Sequence, residues 1–95
     1  MKVLWRRSAI EDLDVAREYL QSRNPAAARR VIDRIEEATR RLAVMPYLGK
    51  TGHVEETREL VVPRTPYRLI YRIVDERLEI ISVIHSAREM PEDQA

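Results

Sequence analysis

The groups in this chain best suited to chemistry lie in its last third. Arginines recur every four residues at 64, 68 and 72, and the final apolar run stops at His85, with Arg88 just beyond. Strand side chains alternate between faces, so Arg68 and Arg72 point the same way. Guanidinium groups on one sheet face form either an anion-binding surface or a solvated back paired with Asp75 or Glu79. Cations of this kind can hold a phosphate or carboxylate, and Arg68 and Arg88 suit that task. His85 is the nearest acid–base group, with Glu89 further off. It reads more readily as a hydrogen-bonded histidine at a strand end than as a catalytic one.

Other chemistries fall away. There is no cysteine, which excludes disulfides, thiolate nucleophiles and Cys-ligated metals. His53 and His85 are the only histidines, and no spacing resembles a metal site, so neither metal nor cofactor is expected. The Gly49–Gly52 segment reads as a turn rather than a phosphate cradle, because no Lys-Ser/Thr pair and helix start follow it.

The chain has 95 residues, 35% of them charged, yet its net charge is only +1. Strong general affinity for nucleic acid requires uncompensated positive charge, so that class is disfavoured. Lysine occurs only at 2 and 50. The abundant arginine suits bidentate contacts to carboxylate or phosphate, although an Arg-favouring genome composition would give the same count. No apolar run approaches a membrane span, and the N-terminus lacks a signal-peptide core, so a cytoplasmic protein without membrane contact is expected.

The elements that must position these groups follow from patterning. Residues 2–6 suit an edge strand. Ser8 and Glu11 match a capping box, and Ala9, Leu13, Ala16 and Leu20 recur at helical spacing up to about residues 21–23. Asn24-Pro25 closes that helix and opens another, whose apolar face holds Val31, Ile32, Ile35, Ala38 and Leu42 and which runs to about Ala43. So short a connection makes an antiparallel helix hairpin. After a loop over 45–56, strands are predicted at about 57–63, 67–74 and 78–85, the last two joined by a tight turn at Asp75-Glu76. With an even-numbered loop, Arg68 lies opposite or diagonal to His85, on one face with Ile70, Arg72, Ile81 and Val83. Leu69, Tyr71, Ile73, Ile80 and Ile84 then pack against the helices. The reading is one α+β domain over 1–95: an N-terminal edge strand and a two-helix hairpin packed on an antiparallel sheet, with a tail at 89–95 that frays.

This order, with its punctuation, resembles the RelE/ParE family of type II toxin–antitoxin toxins. The residues carrying the likeness are Ala9-x-x-Asp12-Leu13, Asn24-Pro25-x-Ala27-Ala28-x-Arg30 and Leu42-x-x-x-Pro46-x-x-Gly49-x-x-Gly52. Thr57-Arg58-Glu59-Leu60, Pro66-Tyr67-Arg68-Leu69-Ile70-Tyr71-Arg72 and His85-Ser86-Ala87-Arg88-x-x-Pro91 complete it. The Asn-Pro opening, the Thr-Arg-Glu-Leu strand and the His-x-x-Arg ending look like the ParE branch, whose members poison DNA gyrase. The RelE branch cuts messenger RNA on the ribosome. Here Arg68 and Arg88 fill its two arginine positions, but its strand lysines fall near Glu59 and Val61, and no tyrosine follows Tyr71.

The resemblance thus implies a gyrase-binding toxin neutralised by a co-encoded antitoxin in a hetero-oligomer. The alternatives are a ribosome-dependent endoribonuclease using Arg68, His85 and Arg88, or a degenerate toxin that only binds antitoxin. Expected target contacts are Arg58, Arg68, Arg72, His85 and Arg88. Expected antitoxin contacts are Val3, Trp5, Leu13, Leu20, Ile35 and Leu42, since a segment folding on binding seeks apolar grooves and open strand edges.

Overall fold

Asn24 and Pro25 divide the helical half of the chain as their residue types dictate. The Asn24 side-chain oxygen accepts from the Ala27 amide at 3.1 Å, and Pro25 takes the first helical position, where an amide would go unpaired anyway. Helix α1 (Arg7–Arg23) therefore stops, and α2 (Pro25–Val44) starts, within two residues. The structure is a computed structural model that describes residues 1–86, so Arg88, Glu89 and the tail lie outside the described residues.

The start of α1 departs from the capping-box expectation. Arg6 holds the N-cap position with no side-chain hydrogen bond to the helix, and the Ser8 hydroxyl donates to the Ile81 carbonyl at 2.6 Å. A strand carbonyl with no neighbouring strand needs a donor, and Ser8 supplies it from 73 residues away.

Five strands follow the order β1-β5-β4-β3-β2: β1 (Lys2–Trp5), β2 (Lys50–Thr51), β3 (Arg58–Val61), β4 (Tyr67–Val74) and β5 (Arg77–His85). Strands β2 to β5 pair antiparallel, whereas β1 joins β5 in parallel, so the sheet is mixed rather than antiparallel throughout. The two-residue strand β2 lies within the segment expected to be loop. Both helices cover one face. Ala9, Ala16, Val31, Ile35, Ala38 and Leu42 meet Leu69, Tyr71, Leu78, Ile80 and Val83 in one apolar core, and Val3, Trp5, Leu13 and Leu20 pack partly buried around it.

The β4–β5 turn needs no glycine, because Asp75 and Glu76 both take left-handed angles (φ 51 and 63), the geometry of a two-residue hairpin turn. From there the ladder pairs Arg72 with Glu79, as the even loop requires. A bulge then intervenes. Tyr71 pairs with Ile80 and Ile70 with Ser82, leaving Ile81 as an extra residue. Above it the parity is reversed: Arg68 pairs with Ile84, Leu69 with Val83 and Tyr67 with His85. Val83 and His85 therefore share the helix-covered face, and Ile84 shares the Arg68 face, opposite to expectation.

Candidate functional site

The bulge separates the expected catalytic pair. Paired residues share a sheet face, so Arg68, with Ile84, points away from the helices, while His85, with Tyr67, points toward them. His85 meets the Tyr67 ring edge-on at 5.0 Å between centroids. It lines a cleft between α1 and β5 with Asp12, Val15, Ala16 and Ser82. Arg58 also falls on the helix-side parity, opposite Tyr71. Its guanidinium lies over the Tyr47 ring at 4.9 Å and donates to the Gly49 carbonyl at 2.7 Å. The sheet thus splits the sequence candidates between its two faces.

On the face away from the helices, Arg68 and Arg72 each lie against a carboxylate. Arg68 is buried, and its Nε lies 3.3 Å from Glu59 Oε1. The second Glu59 oxygen accepts from the His53 amide at 3.2 Å and lies 2.9 Å from His53 Nδ1, in a ring whose side chain is 70% exposed. Burial alone would raise the Glu59 carboxyl. The hydrogen bonds from His53 and the charge of Arg68 outweigh it and hold the group below the usual carboxylate range.

Lower on the same face, Arg72 Nε donates to Glu79 Oε1 at 3.1 Å, and Arg6 Nη1 donates to that oxygen at 3.2 Å. Arg77 Nη2 reaches the other Glu79 oxygen at 3.8 Å. The Arg72 hydrogen bond, joined by that of Arg6, holds the Glu79 carboxyl low despite desolvation. Of the two readings for Arg72, pairing with Glu79 describes its geometry. The three guanidiniums remain partly exposed, unlike Arg68, while Glu79 itself is buried.

Two expected antitoxin contacts need correction. Ile35 and Leu42 are 0% exposed, because the inner stripe of α2 faces the sheet, and they hold the core rather than a surface. Val3, Trp5, Leu13 and Leu20 keep partial exposure at its margin.

The sequence reading missed three polar residues. Glu59 could have been suspected, since an acid inside a short apolar strand demands a buried cation. Its partner His53 carried no local signal. Asp12 is the third: its carboxylate accepts from the Val83 amide at 2.9 Å and the Ser82 hydroxyl at 2.8 Å, closing the β5 edge above the bulge. A buried hydroxyl performs a similar task elsewhere. Tyr71 accepts from the Gly49 amide and donates to the Pro46 carbonyl, both at 2.8 Å, pinning the loop before β2. A Cβ on Gly49 would come within 2.7 Å of that hydroxyl, so only glycine allows this approach. Among the described residues, no His/Asp/Glu group could hold a metal, and no helix is long and apolar enough to cross a membrane.

Residues 3–90 match the family model described as ParE toxin of type II toxin-antitoxin system, parDE. A putative toxin Y4kP from Sinorhizobium fredii is 36% identical over 91 residues, spanning 96% of this chain and 94% of that protein. Toxin RelE2 of Caulobacter vibrioides is 32% identical over 87 residues, spanning 92% and 97%. In fold, the chain is similar to a solved structure described as a chromosomal ParDE TA system from P. aeruginosa, with TM-score 0.81, 23% identity, and 90% and 95% of the two chains covered.

Proposed function

The chain belongs to the ParE toxin family of type II toxin–antitoxin systems, and from that premise we propose that it halts growth by binding DNA gyrase rather than by cutting RNA. The observation that carries this reading is the parity reversal at Ile81. It sets Arg68 and His85 on opposite faces, and Arg68 is buried against Glu59, so a phosphate held by Arg68 would not have the His85 imidazole beside it. Transition-state stabilisation by cations and proton transfer by an acid–base group must act on one phosphate, within hydrogen-bond reach. A binding inhibitor has no such requirement. Arg58, Arg72 and His85 are the partly exposed side chains we propose for target contact, and a co-encoded antitoxin neutralises the toxin by covering it.

The test uses purified toxin with gyrase and relaxed plasmid, without ribosomes. Loss of supercoiling is expected, restored by the co-encoded antitoxin. His85→Ala is expected to weaken inhibition only as the loss of one contact among several, not to abolish it. A ribosome-dependent nuclease would instead give codon-spaced cuts in ribosome-bound message, reduced about 10²-fold or more by His85→Ala. That pattern, with supercoiling untouched, overturns the gyrase reading.

A further inference from the structure

The two buried carboxylates on the face away from the helices are served unequally. Glu59 takes one guanidinium and one imidazole, whereas Glu79 has drawn three guanidiniums. Arg72 comes from the neighbouring strand, Arg77 from two residues earlier on β5, and Arg6 from the junction of β1 and α1. Three cations therefore meet one anion, in a chain whose net charge is only +1. So local a surplus leaves room for a further acid.

Glu79 does not exhaust the donors. Each guanidinium carries five N–H groups, and Glu79 takes Nε of Arg72 and Nη1 of Arg6. The same two side chains wall a hollow of about 270 Å³ with Ser8 and Ile81. Ile81 is the bulge residue, so the irregularity that reverses the strand's parity also sets a half-buried apolar group beside the cations. The Ser8 hydroxyl is committed to the Ile81 carbonyl and fixes that wall. Glu79 holds the guanidiniums in place before any ligand arrives, which lowers the entropic cost of binding.

Acids border the cluster. Asp75 and Glu76 are exposed in the turn that leads into Arg77, and Glu56 lines a second hollow that Arg72 shares. A nucleic acid brings a run of phosphates, and those beyond the cluster would meet these carboxylates. A lone carboxylate avoids them. We propose that the hollow is a socket for one acidic side chain of the toxin's protein target, carried beside an apolar residue that packs on Ile81. The incoming carboxylate accepts from Arg6 and Arg72 together, above the Glu79 that orders them. The choice of occupant rests on the gyrase-binding reading; the chemistry of the socket does not.

The probe is a capped Leu-Glu-Leu peptide, titrated into the full chain while arginine Nε–H and backbone amide shifts are followed. Shifts at Arg6, Arg72 and Ile81 are expected, with binding about tenfold weaker for Leu-Gln-Leu or in Arg72→Gln. Arg72→Lys should weaken it nearly as much, because an ammonium keeps the charge and loses the planar fork. Arg6→Gln, outside the strands, repeats the test if the Arg72 variants do not fold. In the supercoiling assay, Arg6→Gln should need about tenfold more toxin for half inhibition. Absent binding, shifts centred elsewhere, equal affinity for the glutamine peptide, or full replacement of Arg72 by lysine each overturn the proposal. Tighter binding of a duplex oligonucleotide at the same arginines also overturns it, in favour of a nucleic-acid site. Undiminished gyrase inhibition by folded Arg6→Gln overturns it too, while leaving the gyrase reading standing. If the unaltered chain leaves supercoiling untouched, the gyrase reading fails instead, and the peptide titration still decides the socket.

Discussion

Arg68 and Arg72 lie four residues apart on one face of β4, yet their surroundings differ in kind. Above the bulge, Arg68 and Glu59 are buried together, with His53 on the second carboxylate oxygen. Below it, Arg72 shares Glu79 with Arg6 and Arg77 in partial solvent, and positive charge remains in excess. The upper pair is matched in charge and withdrawn from water, as a structural ion pair must be. The lower cluster is unmatched and accessible, as a recognition surface must be. A repeat of one residue type therefore does not imply a repeat of role.

Breaking the upper pair should give the largest effect. Arg68→Ala strands a buried carboxylate and is expected to destabilise by about 3 kcal/mol in urea or thermal melts. Replacing Arg68 and Glu59 together by Met and Leu should recover most of that loss, because no charge is then left unpaired. If the single and double variants melt alike, the pair is not the buried unit described here.

Asn24→Ala sets the scale for an ordinary local interaction. Losing the cap of α2 should cost about 1 kcal/mol, measured in the same melts. A cost equal to that of Arg68→Ala would remove the case for the upper pair as special.

Arg72→Ala should cost less still, below about 1 kcal/mol, since its pair is partly solvated and Glu79 keeps Arg6 and Arg77. Added salt should erase most of that difference while leaving the Arg68 effect largely intact.

The smallest effect is in acid. Glu59 and Glu79 are both held below the unfolded carboxyl value of about 4.3. Their stabilisation is complete above that value and is lost as pH falls through the lower folded one. In high salt, Glu59→Gln should flatten the stability profile below pH about 4 more than Glu79→Gln does, because the Arg68 partner of Glu59 is buried and less screened than the partly exposed arginines around Glu79.

Local signals were legible in the sequence, and long-range ones were not. Asn24-Pro25 announces its turn because cap and helix start are neighbours in the chain, and Asp75-Glu76 announces the hairpin for the same reason. The bulge at Ile81 was invisible. Ile80-Ile81-Ser82-Val83-Ile84 reads as one uninterrupted strand, and the groups holding it, Ser8 and Asp12, are more than 65 residues away. Ser8 misled in the same way, since its capping pattern was satisfied in sequence while its hydroxyl was needed at Ile81. The candidate site inherited that error. Arg68 and His85 were joined on paper by a parity that one extra residue reverses.

The parallel pairing of β1 with β5 also bears on how the chain is made. The strand that leaves the ribosome first must wait for the one that leaves last, since Lys2–Trp5 pair with residues 77–80. Both hairpins close from local contacts and can form early, whereas this closure carries the greatest loop entropy in the fold. A nascent or truncated chain would then hold its helices and central meander while its first strand stays unsheltered, the kind of exposed apolar segment that chaperones and proteases recognise. Synthesis stalled before residue 77 should yield fragments that are degraded rather than toxic.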